Sequence, residues 1–308
     1  MTSPAVTLDD IHGLFAVPPL PRRRDRQLDF DAGTRLVCHI ASGGVTRFLY
    51  GGNAFLYHVT LAEYEALLDW LASFPVPGFV LPGIGPSFGR AMDQARLLRR
   101  YRFRCALVLP CSDPRDAEGL EHGLREIADA AGLPLMLYLK SDDGFGSDRD
   151  RAIAAIGRLV DDGIAAAIKY AIVRPSADED SYLTSLVTRV DRRRVISGMG
   201  EKPAVVHFRS FDLGGLTTGS GCVAPRLSNA LLQACLERDW ASAEALRALF
   251  LPLEDLRDAW GPARVLHHAI ELAGIAAGGP IPPFVSALTP AQLDTLAPVA
   301  RALREHNA

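Results

Sequence analysis

The sequence predicts a closed (β/α)8 barrel, the TIM-barrel class of α/β fold, carrying a C-terminal helical appendage. Two observations carry that expectation. Short apolar runs alternate eight times with longer stretches of helical periodicity, and the apolar runs end near residues 17, 50, 81, 109, 138, 169, 197 and 217. Eight β-then-α units at roughly even spacing are what parallel strands joined by crossover helices produce. The chain's 308 residues also exceed the about 250 that such a barrel needs, which leaves a remainder for the appendage. An open doubly wound sheet is the competitor, because alternation alone does not prove closure.

Taken in order, Leu14-Phe15-Ala16-Val17 reads as the first strand, stopped by Pro18-Pro19, and a helix follows over 32–41 with Leu36, Val37 and Ile40 at helical spacing. Arg47-Phe48-Leu49-Tyr50 is the second strand, running into Gly51-Gly52. Thr60 opens the next helix with Glu63 three residues on, a capping-box pattern, and puts Leu61, Tyr64, Leu67, Leu68 and Leu71 on one face. The third strand spans 79–81, ending at Pro82-Gly83, with a helix over 87–100. Strands over 105–109 and 135–138 flank a helix over 117–131, and a helix over 148–160 precedes the sixth strand. Helices over 178–190, 202–211 and 226–237 alternate with short strands at 195–196 and 215–218. Residues 1–238 then form the barrel. Residues 239–308, with helical patterns over 241–251, 262–273 and 290–305, are too few and too apolar for an independent domain and are expected to pack on the barrel or between subunits.

Composition excludes several classes. Apolar residues at 48% and charged residues at 22% are ordinary for a globular chain. A net charge of −3 argues against a nucleic-acid partner. No run approaches the ~18 unbroken apolar residues of a membrane span, and the N-terminus shows no signal-peptide pattern. Cys38, Cys105, Cys111, Cys222 and Cys235 are odd in number and scattered, as reduced thiols of a cytoplasmic protein would be. Cys111 and Cys222 follow strands, as a nucleophile would, but no histidine pairs visibly with either. The histidines show no metal-ligand spacing, so no metal is expected. Gly83-Ile84-Gly85-Pro86-Ser87-Phe88-Gly89 has one residue more than a dinucleotide fingerprint, and no ribose-binding acid follows, so no cofactor is expected.

The chemistry centres on the run from Gly163 to Val173. It is short, apolar and β-branched, a strand buried on both faces, broken only by Lys169. A buried ammonium is costly, so it must pair, reach a cavity or lower its pKa. The last route makes a lysine nucleophilic toward ketones. The alternative is a strand-end lysine whose stem snorkels to solvent. Active groups of such barrels gather at the carboxyl ends of the strands. Tyr138 ends strand five, so one β/α unit puts it beside Lys169 on the same rim. Gly51, Gly52 and Asn53 end strand two, where glycines let backbone N–H groups approach an anion and the asparagine adds a donor. Amine, phenol and cradle together suit Schiff-base chemistry on a 2-keto acid. A tight Gly-Gly turn and a tyrosine that satisfies a core hydrogen bond are the plainer alternatives. Thr217 and Thr218, followed by glycines after strand eight, stand where barrels often bind phosphate, or they floor the same keto-acid site.

At these residues the chain resembles the dihydrodipicolinate synthase / N-acetylneuraminate lyase family, class I aldolases and lyases, from Phe15 to about Ala308. Leu49-Tyr50-Gly51-Gly52-Asn53-Ala54, followed by Thr60-Leu61-Ala62-Glu63, stands at the family's GTTGE motif and the helix after it. Leu133-Pro134-Leu135-Met136-Leu137-Tyr138 stands at its LPxxxYN strand, and Ile168-Lys169 at its Schiff-base strand. Ser197-Gly198 and Gly214-Gly215-Leu216-Thr217 resemble its SGD and GxxGxIS segments. The resemblance implies a (β/α)8 barrel, a pyruvate-type imine at Lys169, Tyr138 as proton carrier, and an oligomer, a dimer or tetramer.

The departures bear on the substrate. The family's paired threonines are Gly52 and Asn53, and its following Gly-Glu is Ala54-Phe55. The synthase relay tyrosine falls near Cys111-Ser112, with no tyrosine present. Its aldehyde-binding arginine falls within Lys140-Ser141-Asp142-Asp143-Gly144, where Lys140 is the available cation, either for the substrate's distal end or as a partner of Asp142 or Asp143. The expected function is a cytoplasmic Schiff-base lyase cleaving a 2-keto acid to pyruvate and an aldehyde. The alternatives are a dehydratase of a 2-keto-3-deoxy sugar acid and a non-catalytic keto-acid sensor. The candidate site comprises Lys169 and Tyr138 as catalytic groups, with Gly51, Gly52, Asn53, Lys140, Gly198, Thr217 and Thr218 binding substrate.

Overall fold

Eight parallel strands close on one another in chain order. They are β1 (Gly13–Ala16), β2 (Arg47–Tyr50), β3 (Phe79–Ile84), β4 (Ala106–Val108), β5 (Leu135–Leu139), β6 (Ala165–Tyr170), β7 (Val195–Ser197) and β8 (Gly215–Thr218). β8 pairs with β1 from Gly13↔Gly215 to Ala16↔Thr218, a seam that makes the sheet a barrel and excludes the open alternative. The computed structural model describes residues 5–307; residues 1–4, within which no signal peptide is read, and residue 308 lie outside the described residues.

After a short α1 (Leu8–Ile11), the helices of the barrel are α2 (Phe30–Ser42), α3 (Leu61–Ala72), α4 (Phe88–Leu98), α5 (Ala117–Ala131), α6 (Arg149–Asp161), α7 (Ser181–Arg189), α8 (Ala204–Phe211) and α9 (Pro225–Leu236). Beyond them come α10 (Trp240–Trp260), α11 (Pro262–Leu272) and α12 (Pro290–Glu305). The capping box at Thr60 and Glu63 forms, each side chain taking the other's backbone N–H. Helix α3 buries Tyr64, Leu67, Leu68 and Leu71, whereas Leu61, in the first turn, is exposed.

Three boundaries differ from the sequence reading, and tertiary contacts explain them. Strand β3 continues through Pro82 and Gly83 to Ile84, because Pro82 forfeits only one N–H while the pairing continues through Tyr50↔Pro82 and Gly83↔Leu107. Helix α7 begins at Ser181, where Asp180 accepts from the N–H groups of Tyr182 and Leu183. Helix α10 does not stop before Pro252 but runs on to Trp260. An interior proline costs a helix about 3 kcal/mol, which burial of Phe250 and Leu253 offsets.

The appendage shares the barrel's core: Phe250, Leu266 and Leu303 belong to the same packed cluster as Phe15, Leu107 and Ile196. Helix α10 lies on α8 and α9, and α11 touches the Gly52–Ala54 turn that follows β2. The C-terminal helices therefore reach the carboxyl-end rim. Among the described residues, no helix is long and apolar enough to cross a membrane.

Candidate active site

Strand β6 is buried at every position, so Lys169 has no wet face to lean on; its residue is 4% exposed. The register Tyr138↔Lys169 sets β5 and β6 side by side at this level. Lys169 Nζ lies 4.0 Å from the centroid of the Tyr138 ring, within the range of a cation–π contact. Burial by itself would raise the Tyr138 phenol, but the cations of Lys169, Lys140 and Arg257 outweigh it, and its pKa lies below the ordinary value of 10.0.

Lys169 and Tyr138 open into a cavity of about 610 Å3 at the carboxyl ends of the strands. Gly52, Asn53, Lys140, Gly198 and Thr217 line it with them. Asn53 is held in place by its Nδ2, which donates to the Val17 carbonyl at 2.8 Å. Gly198 makes room for the lysine: a β-carbon there would lie 2.9 Å from Lys169 Cγ and 2.6 Å from the Tyr170 carbonyl oxygen. Lys140 is exposed, and neither loop aspartate takes it. Asp142 is held by both terminal nitrogens of Arg174, at 2.7 and 2.6 Å, and Asp143 faces Arg115. Arg174 also lies against Asp180 and Tyr170, which ties the loop after β5 to the loop after β6 beside the cavity.

Two sequence candidates lie apart from this cavity. Gly51 faces the barrel interior, where a β-carbon would meet Leu107 at 2.8 Å, so its small size serves packing. Thr218 is fully buried and gives its hydroxyl to Glu201 while accepting from the Gly221 N–H at 2.6 Å. Neither residue lines the cavity. Cys111 lines a neighbouring, largely apolar cavity of about 350 Å3 beside α4 and α5, which shares Tyr138 with this one. Cys222 is buried, which pushes its thiol far up, away from the thiolate a nucleophile needs. Among the described residues, no His/Cys/Asp/Glu group could hold a metal ion.

Several lining residues escaped the sequence reading. Tyr57, in the short turn after Gly52–Ala54, adds a second phenol, raised chiefly by burial. Glu254 and Arg257 come from α10, paired at 2.5 Å through Glu254 Oε1 and Arg257 Nη1. Behind them sits Glu201, fully buried, its Oε1 accepting from Thr218 and from Ser228 at 2.7 Å. Burial and the neighbouring Glu254 push its carboxyl up to about 7. No spacing signal in the sequence links these residues, because Glu254 and Arg257 lie beyond the helical pattern over 241–251 and Glu201 stands more than fifty positions before them.

No protein-family model matches the chain, and no curated protein matches it. Solved structures do. A dihydrodipicolinate synthase from Agrobacterium tumefaciens is 20% identical with a TM-score of 0.82, over 96% of this chain and 99% of that one. One from Oceanobacillus iheyensis is 22% identical with a TM-score of 0.81, over 97% and 98%. A structure described as the first monomeric dihydrodipicolinate synthase variant is 17% identical with a TM-score of 0.80, over 97% and 99%. The matches span barrel and C-terminal helices together, and the chain thus has, over nearly its whole length, the fold of the solved dihydrodipicolinate synthases.

Proposed function

We propose that this protein is a lyase that joins Lys169 to a 2-keto acid as a Schiff base and cleaves it reversibly to pyruvate and an aldehyde. The observation that carries the reading is a lysine amine on a fully buried strand, 4.0 Å from a tyrosine ring, at the floor of a cavity sized for a small ligand. In this reading the neutral amine attacks the ketone carbon, and loss of water leaves the imine. The imine withdraws electrons as the C3–C4 bond breaks, the Tyr138 phenolate takes the C4 hydroxyl proton, and the aldehyde departs. Protonation of the resulting enamine and hydrolysis release pyruvate and regenerate Lys169. The downward displacement of the Tyr138 phenol supports its part, since it brings the proton-accepting form closer to neutral pH. The substrate carboxylate lies against Gly52 and Asn53, where Asn53 keeps a second amide N–H free of its bond to Val17. The fold shared with the synthases supports the same chemistry. Working as a cytoplasmic dimer or tetramer belongs to the same reading, with exposed Phe88, Val173 and Phe284 available for subunit contacts.

Borohydride reduction in the presence of pyruvate tests it. A reduced pyruvyl mass is expected on the peptide containing Lys169 and is expected to vanish in Lys169→Ala. No adduct, or one on another lysine, overturns the reading. With a panel of 2-keto-3-deoxy acids, an aldolase releases pyruvate, a dehydratase yields a dicarbonyl without pyruvate, and a sensor does neither.

A further inference from the structure

On the β4–β5 side of the barrel, between strands and helices, lies the largely apolar cavity of about 350 Å3. An apolar cavity of roughly 150 Å3 already admits a benzene ring. Val108 and Leu137 of the strands, Ala91 of α4, Leu124 and Ile127 of α5, and Phe145 of the loop after β5 wall it. Among the described residues, Tyr138 is the only one it shares with the lysine cavity; Lys169, Asn53 and Lys140 do not line it.

Helix α5 holds its wall back from this space. Gly119 and Gly123 stand four residues apart, one turn of the helix, and both line the cavity. A β-carbon on Gly119 would meet nothing nearer than Asp116 Oδ1 at 3.5 Å, and one on Gly123 nothing nearer than the half-exposed Phe88 ring at 3.3 Å. Alanine at Gly119 would make only ordinary contacts and would favour the helix more than glycine does. Protein interiors are normally close-packed, so two helical glycines facing an apolar space keep room there for a ligand.

The polar end of the cavity decides the charge of that ligand. Arg115 is engaged by the chain itself: its Nε, Nη1 and Nη2 donate to the carbonyls of Gly144, Asp113 and Asp143 at 3.2, 3.1 and 3.2 Å. Asp116 Oδ1 accepts from the Gly119 N–H at 2.9 Å, and the Cys111 thiol lies against Asp113. Two aspartates beside one engaged arginine repel an anion. A cation would leave water for apolar walls. An uncharged ring gains from burial without either cost. We propose that the cavity between β4–β5 and α4–α5 is a second binding site, for an uncharged aromatic molecule of one or two rings. The proposal goes beyond the Schiff-base reading and does not depend on it.

Calorimetry with indole and with indole-3-acetate tests it on the native protein. Indole is expected to bind saturably, and indole-3-acetate, the same ring with a carboxylate, at least about tenfold more weakly. Gly119→Leu and Gly123→Leu put a side chain into the space and are each expected to weaken indole at least about tenfold. Circular dichroism shows whether each variant is folded, and either folded variant suffices. Saturating indole is expected to leave borohydride trapping of pyruvate on Lys169 in place. The proposal is overturned by no saturable indole binding up to about 1 mM, by equal binding of the acetate, or by a folded variant that binds indole as the native chain does. Indole that abolishes pyruvate trapping sits in the lysine cavity, which also overturns it. Sedimentation velocity tests the other occupant: a folded variant that loses an oligomer formed by the native chain shows that a second copy fills the space, and the proposal falls. Absence of pyruvate trapping without indole present would remove the Schiff-base reading alone, since the calorimetry is independent of it.

Discussion

Replacing Glu201 by glutamine isolates what a buried carboxyl does to this barrel. The Glu201 side chain is wholly buried, its Oε1 accepts from Thr218 and Ser228, and its Oε2 has no partner. Burial first, and then the charge of Glu254, raise its pKa from 4.5 to about 7, against the lowering influence of those hydroxyls and of Arg257. A gap of that size corresponds to about 3 kcal/mol between the two protonation states. Because the folded state binds this proton more tightly than the unfolded chain, the associated stability is fully present below pH 4.5 and is lost as pH rises through about 7. Glutamine accepts the same two hydroxyls and cannot ionise. Glu201→Gln is therefore expected to match the native protein near pH 5 and to exceed it by about 2–3 kcal/mol at pH 8, roughly 4–9 °C in Tm. Urea denaturation at both values of pH measures the difference. A variant with the native slope of stability against pH, or one less stable at pH 8, would refute the reasoning.

Two other substitutions probe the candidate site directly. Tyr138→Phe is expected to retain pyruvate binding and slow turnover by about two to four orders of magnitude, the usual scale for a lost acid–base group. It should also abolish the rise of the rate with pH that a phenol displaced below 10.0 produces; an unchanged kcat and pH profile would make the phenol structural. Lys140→Met is expected to leave borohydride trapping of pyruvate intact and to raise KM for the full substrate, about tenfold for each 1.4 kcal/mol of uniform binding lost. Steady-state kinetics that find both unchanged would make Lys140 a rim charge only.

The local periodicities of the chain were enough to specify eight β/α units, because burial on a strand and on an amphipathic helix writes itself into neighbouring residues. Helix α5 and strand β8 lie where those patterns put them, and the Thr60–Glu63 cap forms from four adjacent residues. An ionisable residue in an apolar strand is likewise a local anomaly, so Lys169 was visible, as was its one-unit offset from Tyr138. Whether the β1 and β8 edges meet is not local, and only the β8–β1 seam settled it. The same applies to direction: Gly51 and Gly52 are adjacent, yet one packs on Leu107 and the other lines the cavity. Tertiary structure also brought Glu201, Glu254 and Arg257 together across more than fifty positions of sequence. In sequence the helical pattern stops at residue 251, before Pro252, and Glu254 and Arg257 lie beyond it. They reach the cavity because core packing carries α10 through its proline, and packing between distant segments leaves no periodic trace in the chain.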